Sequence, residues 1–376
     1  MGTKLTARKA RWMVPVAVVA TAGVVAGGVA LAGEDSPELP AKDAADLLTD
    51  IEAAEFEPFS GTVVQTSRLG LPELPGLTGH SADTSPLRML TGSNTARLWV
   101  SSAEQFRFSL MGAFDEVTLI RNGSDVWLWS SGTNEADHLT LPGSMPLPGP
   151  AKGASPHPDP HASAEEILEA IEPSTEVAVT GTVEVAGRDA YDLAIRPRDD
   201  GSLVDEIALA VDGETSRVLR IEVTADGMTE PAFELGFTSV SFDDPSDEVY
   251  RFNPPPGADV TEHNTLELAR SFMDLRAGKE HHAAGAPTVI GEGWTSVVVL
   301  EDVELPSGDG EPSDEDADAT LDALLESAEP VSGPYGSGRL FTTSLLSALW
   351  LDDGTLLVGA VTPDVLEAAA TEVASS

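Results

Sequence analysis

Short segments in which apolar and polar residues alternate make up most of the chain, and this alternation limits the possible folds more than any other feature. In one of them, Phe106, Phe108 and Leu110 are separated by single polar residues. A period of two places one apolar and one polar face on a strand. Strands with one solvated face are typical of antiparallel sheets, so we predict a mainly antiparallel β-structure.

Twelve such segments, separated by Gly, Asn, Ser or Asp turns, predict strands. They lie at 59–66, 95–100, 104–110, 116–121, 125–130, 136–141, 177–185, 190–195, 206–211, 217–224, 233–242 and 249–252. Helical spacing from Asp43 onward predicts one helix before the first strand. Ser163 and Glu166 form a capping box that predicts a second helix, ended by Pro173.

A sheet this long with one apolar face is expected to curl around that face, which helices or a ligand then fill. We therefore predict an α+β fold, a curved antiparallel half-barrel sheet closed by helices. The alternative is a two-sheet sandwich, because the same alternation permits it.

The run from Pro254 to Gly257 marks the end of this unit, so we predict a half-barrel domain over 43–262 and a small C-terminal α/β region over 263–376. An acidic loop is expected at 301–320. The other elements predicted for this region are helices at 264–276 and 321–328, a strand at 295–300, a hairpin of 345–351 with 355–361, and a last helix opened by Pro363.

The first eleven residues include four basic ones, and an uncharged run at 12–32 follows and closes on Ala30-Leu31-Ala32. This order is typical of a signal peptide with a cleavage site. We therefore predict that residues 1–32 direct export to the cell envelope. The alternative is an uncleaved membrane anchor at 12–32, because the run is just long enough to span a bilayer.

Composition excludes several classes of protein. The chain has no cysteine, which rules out disulfides and thiolate metal sites. Without residues 1–32 it carries 17 basic and 63 acidic residues, a net charge of −46. Such a surface repels nucleic acid, so we expect no nucleic-acid partner.

The common catalytic motifs are missing from the sequence: there is no Gly-x-Ser-x-Gly elbow, no phosphate-binding Gly loop, no His-Glu-x-x-His and no Gly-x-Gly-x-x-Gly. We predict a non-enzymatic protein without a cofactor. A hydrolase that uses a carboxylate pair assembled in space stays open as an alternative.

Three clusters have the residue types of metal ligands. The histidines at 157 and 161 and the pair at 281–282 lack rigid support. The acids at 314, 316 and 318 copy the start of a calcium loop, but Ala319 replaces its turn glycine and Leu325 its bidentate acid. We predict no metal site.

The largest apolar residues of the predicted strands could form the wall of a ligand cavity or an ordinary core, and alternation leaves both open. The wall residues are Phe106, Phe108, Trp127, Trp129, Leu219, Ile221, Phe233 and Phe237. A long leucine-containing loop between strands is typical of a lid. The lid residues are Leu71, Leu74, Leu77 and Leu87.

Five further motifs are FSGTVVQ at 59–65, RNGSDVWLW at 121–129, VAGRDAY at 185–191, FELGF at 233–237 and FNPPPG at 252–257. Together they resemble the lipoprotein-carrier superfamily of LolA and MucB/RseB, in particular its actinobacterial branch. The resemblance covers about 43–262, and SGPYGSGR at 332–339 is similar to the end of those proteins. It implies a large antiparallel half-barrel with an apolar cavity for acyl chains.

The resemblance and the alternation together lead us to expect an exported lipid- or lipoprotein-binding carrier or sensor. Its expected ligand is a lipid or an acylated lipoprotein. The alternative is an envelope-stress regulatory protein that binds an anti-sigma factor, and either function would involve a membrane-bound regulatory or transporter partner.

Overall fold

The computed structural model describes residues 39–71, 91–112, 115–141, 173–263, 287–303 and 326–375. The signal segment and the predicted helices at 163–172 and 264–276 lie outside these ranges. So do the acidic loop from residue 304 onward and the candidate metal clusters. No helix within the described ranges is long and apolar enough to cross a membrane.

The first predicted helix is confirmed as α1 (Ala44–Ala53). It begins where it does because the Asp43 carboxylate accepts a hydrogen bond from the backbone N–H of Asp46 at 2.8 Å. Leu47 is fully buried and packs against Tyr191, Leu193 and Val211. The helix therefore covers part of one apolar side of the large sheet, at β8 and β9.

Eleven of the twelve predicted segments form strands in the described ranges, most of them within two residues of the predicted ends. With one further strand they make a single sheet. Its members are β1 (Phe59–Ser67), β2 (Gly92–Ser102), β3 (Gln105–Met111), β4 (Glu116–Asn122), β5 (Asp125–Ser130), β6 (Glu135–Thr140), β7 (Thr175–Val185), β8 (Arg188–Pro197), β9 (Val204–Asp212), β10 (Val218–Ala225), β11 (Phe233–Ser241) and β12 (Asp259–His263).

The twelve strands follow one another in the order β12-β6-β5-β4-β3-β2-β1-β11-β10-β9-β8-β7. Every pairing is antiparallel except that of β12 with β6. The sheet is curved and does not close into a barrel. One continuous sheet of this kind is compatible with a half-barrel, and it differs from the two-sheet sandwich held as the alternative. Closure by helices beyond α1 stays a prediction.

The strand predicted at 249–252 is wrong. Residues 247–250 form a 3-10 turn capped by the Ser246 side chain, and Tyr250 within it is buried. The strand that does add to the sheet is β12, whose five residues are all exposed. Because it has no apolar alternation, the sequence pattern does not reveal it.

The C-terminal part forms a second sheet of six strands in the order β13-β14-β18-β17-β16-β15. They are β13 (Thr288–Ile290), β14 (Val297–Leu300), β15 (Glu329–Gly333), β16 (Gly336–Thr342), β17 (Ser347–Leu351) and β18 (Leu356–Gly359), followed by α2 (Pro363–Ala374). The predicted last hairpin and the helix opened by Pro363 are confirmed. The α/β description is wrong in the strict sense, because every described pairing in this sheet is antiparallel. The domain bounds stay predictions.

The two sheets are in direct contact. Trp294 is 5% exposed and packs among Ile207, Val223 and Leu235 of the large sheet. Its indole N–H donates to the Thr175 hydroxyl at 2.8 Å. Backbone bonds beside it, including Leu203 N–H to the Ala360 carbonyl at 2.9 Å, join the sheets further. The second sheet therefore covers another part of this apolar side, at β9–β11.

Replacing Thr175 by valine tests this contact. The change keeps the side-chain shape but leaves the buried indole N–H of Trp294 without its acceptor, which costs about 1–3 kcal/mol. We expect the free energy of unfolding, measured by urea titration, to fall by that amount. Thr66→Val is the matched control, because the Thr66 hydroxyl has no hydrogen bond among the described residues. An equal effect of both variants would contradict the assignment.

Candidate functional site

The strand register decides which side chains share a face of the large sheet. Leu98 lies opposite Phe108, Phe108 opposite Leu119, and Leu119 opposite Leu128. Residues that face each other in an antiparallel pair point to the same side. We call this side of β1–β6 the apolar face. Its apolar members are Phe59, Val63, Ala96, Leu98, Val100, Phe106, Phe108, Leu110, Val117, Leu119, Val126, Leu128 and Leu139.

Six of the eight predicted wall residues lie on this side of the sheet or its continuation. Phe106 and Phe108 belong to the apolar face itself. Phe237 lies opposite Val63 and Phe233 opposite Ser67, so both continue the face onto β11. Ile221 follows on β10, opposite Leu235, and Leu219 packs in one cluster with Phe237.

Trp127 and Trp129 lie on the other side of the sheet. Trp127 is opposite Ile120 and Trp129 opposite Thr118, whereas their neighbours Val126 and Leu128 point to the apolar face. The structure therefore does not bring the two tryptophans together with Phe106 and Phe108. Successive side chains of a strand point to opposite faces, so a shift of one residue decides which face a side chain lies on. The sequence pattern of this hairpin does not show which of its residues lie on which face.

The apolar side of the sheet is covered unequally. Across β8–β11 it is sealed by α1 and by the second sheet, so that Leu193, Ile221 and Leu235 are buried. Across β2–β5 the side chains of Leu98, Phe108 and most of their neighbours are only half-buried, and Leu128 is 42% exposed. This second part is the candidate site.

The predicted lid lies beside the second sheet where the structure describes it. Leu71 is half-buried, and Leu74, Leu77 and Leu87 lie outside the described ranges. Just before Leu71, the backbone carbonyl of Leu69 accepts from the N–H of Ser344 at 2.9 Å. The chain that leaves β1 is therefore tied to the second sheet.

Buried polar residues lie among the apolar ones on the same face. Arg121, opposite Phe106, is fully buried and donates from Nε to the Gly123 carbonyl at 3.2 Å. Gln65 and Asn94 face each other, and Asn94 Nδ2 donates to Gln65 Oε1 at 2.8 Å. Sequence reasoning missed these residues, although polar residues that interrupt apolar alternation were a visible signal.

The opposite face of β3–β6 is covered by residues 243–258, which we call the strap. Tyr250 is buried there, with its hydroxyl 2.9 Å from the Ser101 hydroxyl. The Phe252 ring lies 5.2 Å from that of Trp127, which stacks on His138 at 4.0 Å. The strap then continues into β12. The two tryptophans are thus part of a covered layer.

Polar side chains beside this covered layer form hydrogen bonds and charge interactions with one another. Burial acts to raise the pKa of Glu116, but hydrogen bonds from Thr118 and Ser109 outweigh it together with nearby arginine charges. The pKa of Glu116 therefore lies below its ordinary value. A carboxylate kept ionised by hydrogen-bond donors has a structural role, because a general acid needs the opposite shift.

Glu222 has that opposite shift. Burial raises its pKa, and the carboxylates of Glu234, Asp192 and Glu206 raise it further, against the effect of Arg220. Glu222 alternates with Ile221 and Val223, so it points away from the apolar side of the sheet. The acid cluster is therefore separate from the candidate site. Within the described ranges, no group of three or more His, Asp or Glu side chains is placed so that it could hold a metal ion.

Comparison with known proteins was made for the whole chain. No protein-family model and no curated protein matches it. Three solved structures with which it aligns are the MucA/MucB complex of Pseudomonas aeruginosa (15% identity, 87% of this chain, 96% of that chain, TM-score 0.42), an uncharacterized conserved protein of Thermus thermophilus (15%, 58%, 99%, 0.31) and a LolA superfamily protein of Nitrosomonas europaea (13%, 56%, 99%, 0.21). MucB and LolA are also the proteins that the sequence motifs resemble.

Replacing Phe252 by alanine tests the covered layer. The change removes the ring that packs on Trp127 and Trp129, so we expect a loss of about 1–3 kcal/mol in unfolding free energy. Tryptophan emission should shift to longer wavelength, because both indoles become more exposed to water. Arg251→Ala in the same strap should leave the emission maximum in place. An unchanged maximum in the Phe252 variant would show that the strap does not cover the tryptophans.

Proposed function

We propose that this protein is an exported, non-enzymatic carrier or sensor that binds a lipid or an acylated lipoprotein, with acyl chains against the apolar face of β2–β5. One observation supports this most strongly. The same side of one sheet is sealed by protein across β8–β11 and only half-covered across β2–β5. Contiguous apolar surface of this kind is a typical binding surface.

The energetics favour a hydrocarbon ligand. Each methylene group removed from water contributes about 0.8 kcal/mol, without any directional contact. Aromatic and branched side chains such as Phe106, Phe108 and Leu119 provide contact area for a chain of varied length. An acyl chain therefore suits the site better than a polar metabolite does.

Polar residues with buried side chains lie at both ends of the apolar stretch. Gln65 and Asn94 lie on β1 and β2, and Arg121 lies at the far end of β4. They bound the apolar stretch with hydrogen-bonding groups. Their side chains are buried, so they limit the length of the apolar surface and do not form a polar surface for a ligand.

The alternative function is an envelope-stress regulator that binds an anti-sigma factor or another membrane partner. A net charge of −46 after removal of residues 1–32 favours it, because such a charge speeds association with a basic partner. The second sheet would then supply the partner surface. Strong dependence of partner binding on salt would support this function.

The test of the proposed function is acyl-chain binding by two variants of the same strand. Phe108→Ser removes apolar area from the centre of the candidate site, and we expect the affinity for a fluorescent palmitoyl probe to fall about tenfold or more. Met111→Ser on the opposite face is the control and should change the affinity less than about twofold.

Urea titration of both variants separates lost binding from lost folding. Unchanged affinity of a folded Phe108 variant would contradict acyl binding at this face.

A further inference from the structure

A cleft of about 400 Å³ opens on the polar side of the large sheet, where β11, β1 and β2 lie next to one another. It faces away from the acyl site proposed above, so its function is independent of that proposal. Six side chains face it in two rows across the three strands. They are Ser239, Thr62 and Arg97 in one row and Ser241, Ser60 and Trp99 in the other.

Backbone geometry forms the floor of the cleft. A β-bulge lies between Thr62 and Val63. Beside it, a Cβ atom on Gly61 would come within 2.5 Å of the Ser239 carbonyl oxygen, which no side chain tolerates. Glycine therefore permits the close approach of β11 to β1 that brings the two rows together.

Several donors in the cleft have no protein partner among the described residues. Within that part of the chain, the exposed guanidinium of Arg97 makes no hydrogen bond and no ion pair. The same holds there for the hydroxyls of Ser60 and Thr62 and for the indole N–H of Trp99. The serine hydroxyls on β11 are used: Ser239 Oγ accepts from the Thr62 backbone N–H at 3.3 Å, and Ser241 Oγ donates to Asp243 at 2.9 Å.

Charges of both signs surround the cleft. Arg107 lies 5.7 Å from the centre of the Trp99 ring and adds a second guanidinium group. Glu116 opposes them, 3.7 Å from Arg107, and Asp243 lies at the Ser241 edge. Most anions are repelled by the net charge of the chain, so an anion that binds here needs specific donors.

The geometry points to a binding site for a phosphate-bearing ligand in this cleft. An oxyanion has several acceptor oxygens and no competing positive charge. A guanidinium with two hydroxyls and an indole N–H can bind it through charge-assisted hydrogen bonds. Arg97 supplies the charge, and Ser60 and Thr62 supply the hydroxyl donors. A phospholipid headgroup and a soluble phosphate ester share this chemistry.

The experiment measures binding of three probes to the full protein by calorimetry and vesicle sedimentation. The probes are glycerol 3-phosphate, phosphatidylglycerol vesicles and phosphatidylcholine vesicles. Arg97→Gln should weaken binding of the phosphate probe about tenfold or more. Thr62→Val, which keeps the shape and removes one donor, should weaken it severalfold. Arg339→Gln removes the same charge from the second sheet and serves as the control.

The outcomes separate the sources of the ligand. Arg97-dependent binding of glycerol 3-phosphate supports a soluble phosphate ester, and Arg97-dependent binding to phospholipid vesicles alone supports a headgroup. No binding of any probe overturns the proposal. Binding that Arg97→Gln leaves unchanged, or that Arg339→Gln weakens equally, overturns it as well. Palmitoyl binding, measured on the same variants, should not change, because Phe108 and Arg97 lie on opposite faces.

Discussion

One constraint shapes this protein: a single sheet of twelve strands presents one long apolar side that has to be kept from water. The sheet is open, and its own curvature covers only part of that side, where Val185 and Ala190 at the β7–β8 end pack in one cluster with Val63 and Phe237. Other parts of the chain cover more of it. Helix α1 covers one region through Leu47, and the second sheet covers another through Trp294. What they leave half-covered, across β2–β5, is where a ligand would gain most by binding.

The opposite side of the sheet is covered in a different way. Across β3–β6 the strap closes it through Tyr250 and Phe252, while further along, across β11, β1 and β2, it stays polar and forms the cleft beside Arg97. The two faces therefore offer two kinds of chemistry. An apolar surface favours ligands with a large apolar area, and a cleft with free hydrogen-bond donors favours negatively charged ligands. A protein that handles amphiphilic molecules at a membrane can use both.

The sequence predicted the strands well because alternation is a local property. It placed β5 at its observed ends and found α1 from its cap and apolar spacing. It could not assign Trp127 a side, since a side depends on register with β4. It missed β12, whose residues are all exposed, and it read 249–252 as a strand because Val249, Tyr250 and Phe252 are β-formers. The cleft beside Arg97 could not be predicted from the sequence, because it is formed by residues from strands far apart in the chain.

We propose that the half-covered apolar face holds an acyl ligand in the cell. Native mass spectrometry of the protein, purified without detergent from its own envelope, tests this most directly. We expect an added mass that organic solvent removes and that matches a lipid or an acylated peptide. We also expect the Phe108→Ser variant to carry less of this mass than the Met111→Ser variant. The mass of the polypeptide alone, in the unsubstituted protein, would contradict the claim and leave the face as ordinary core.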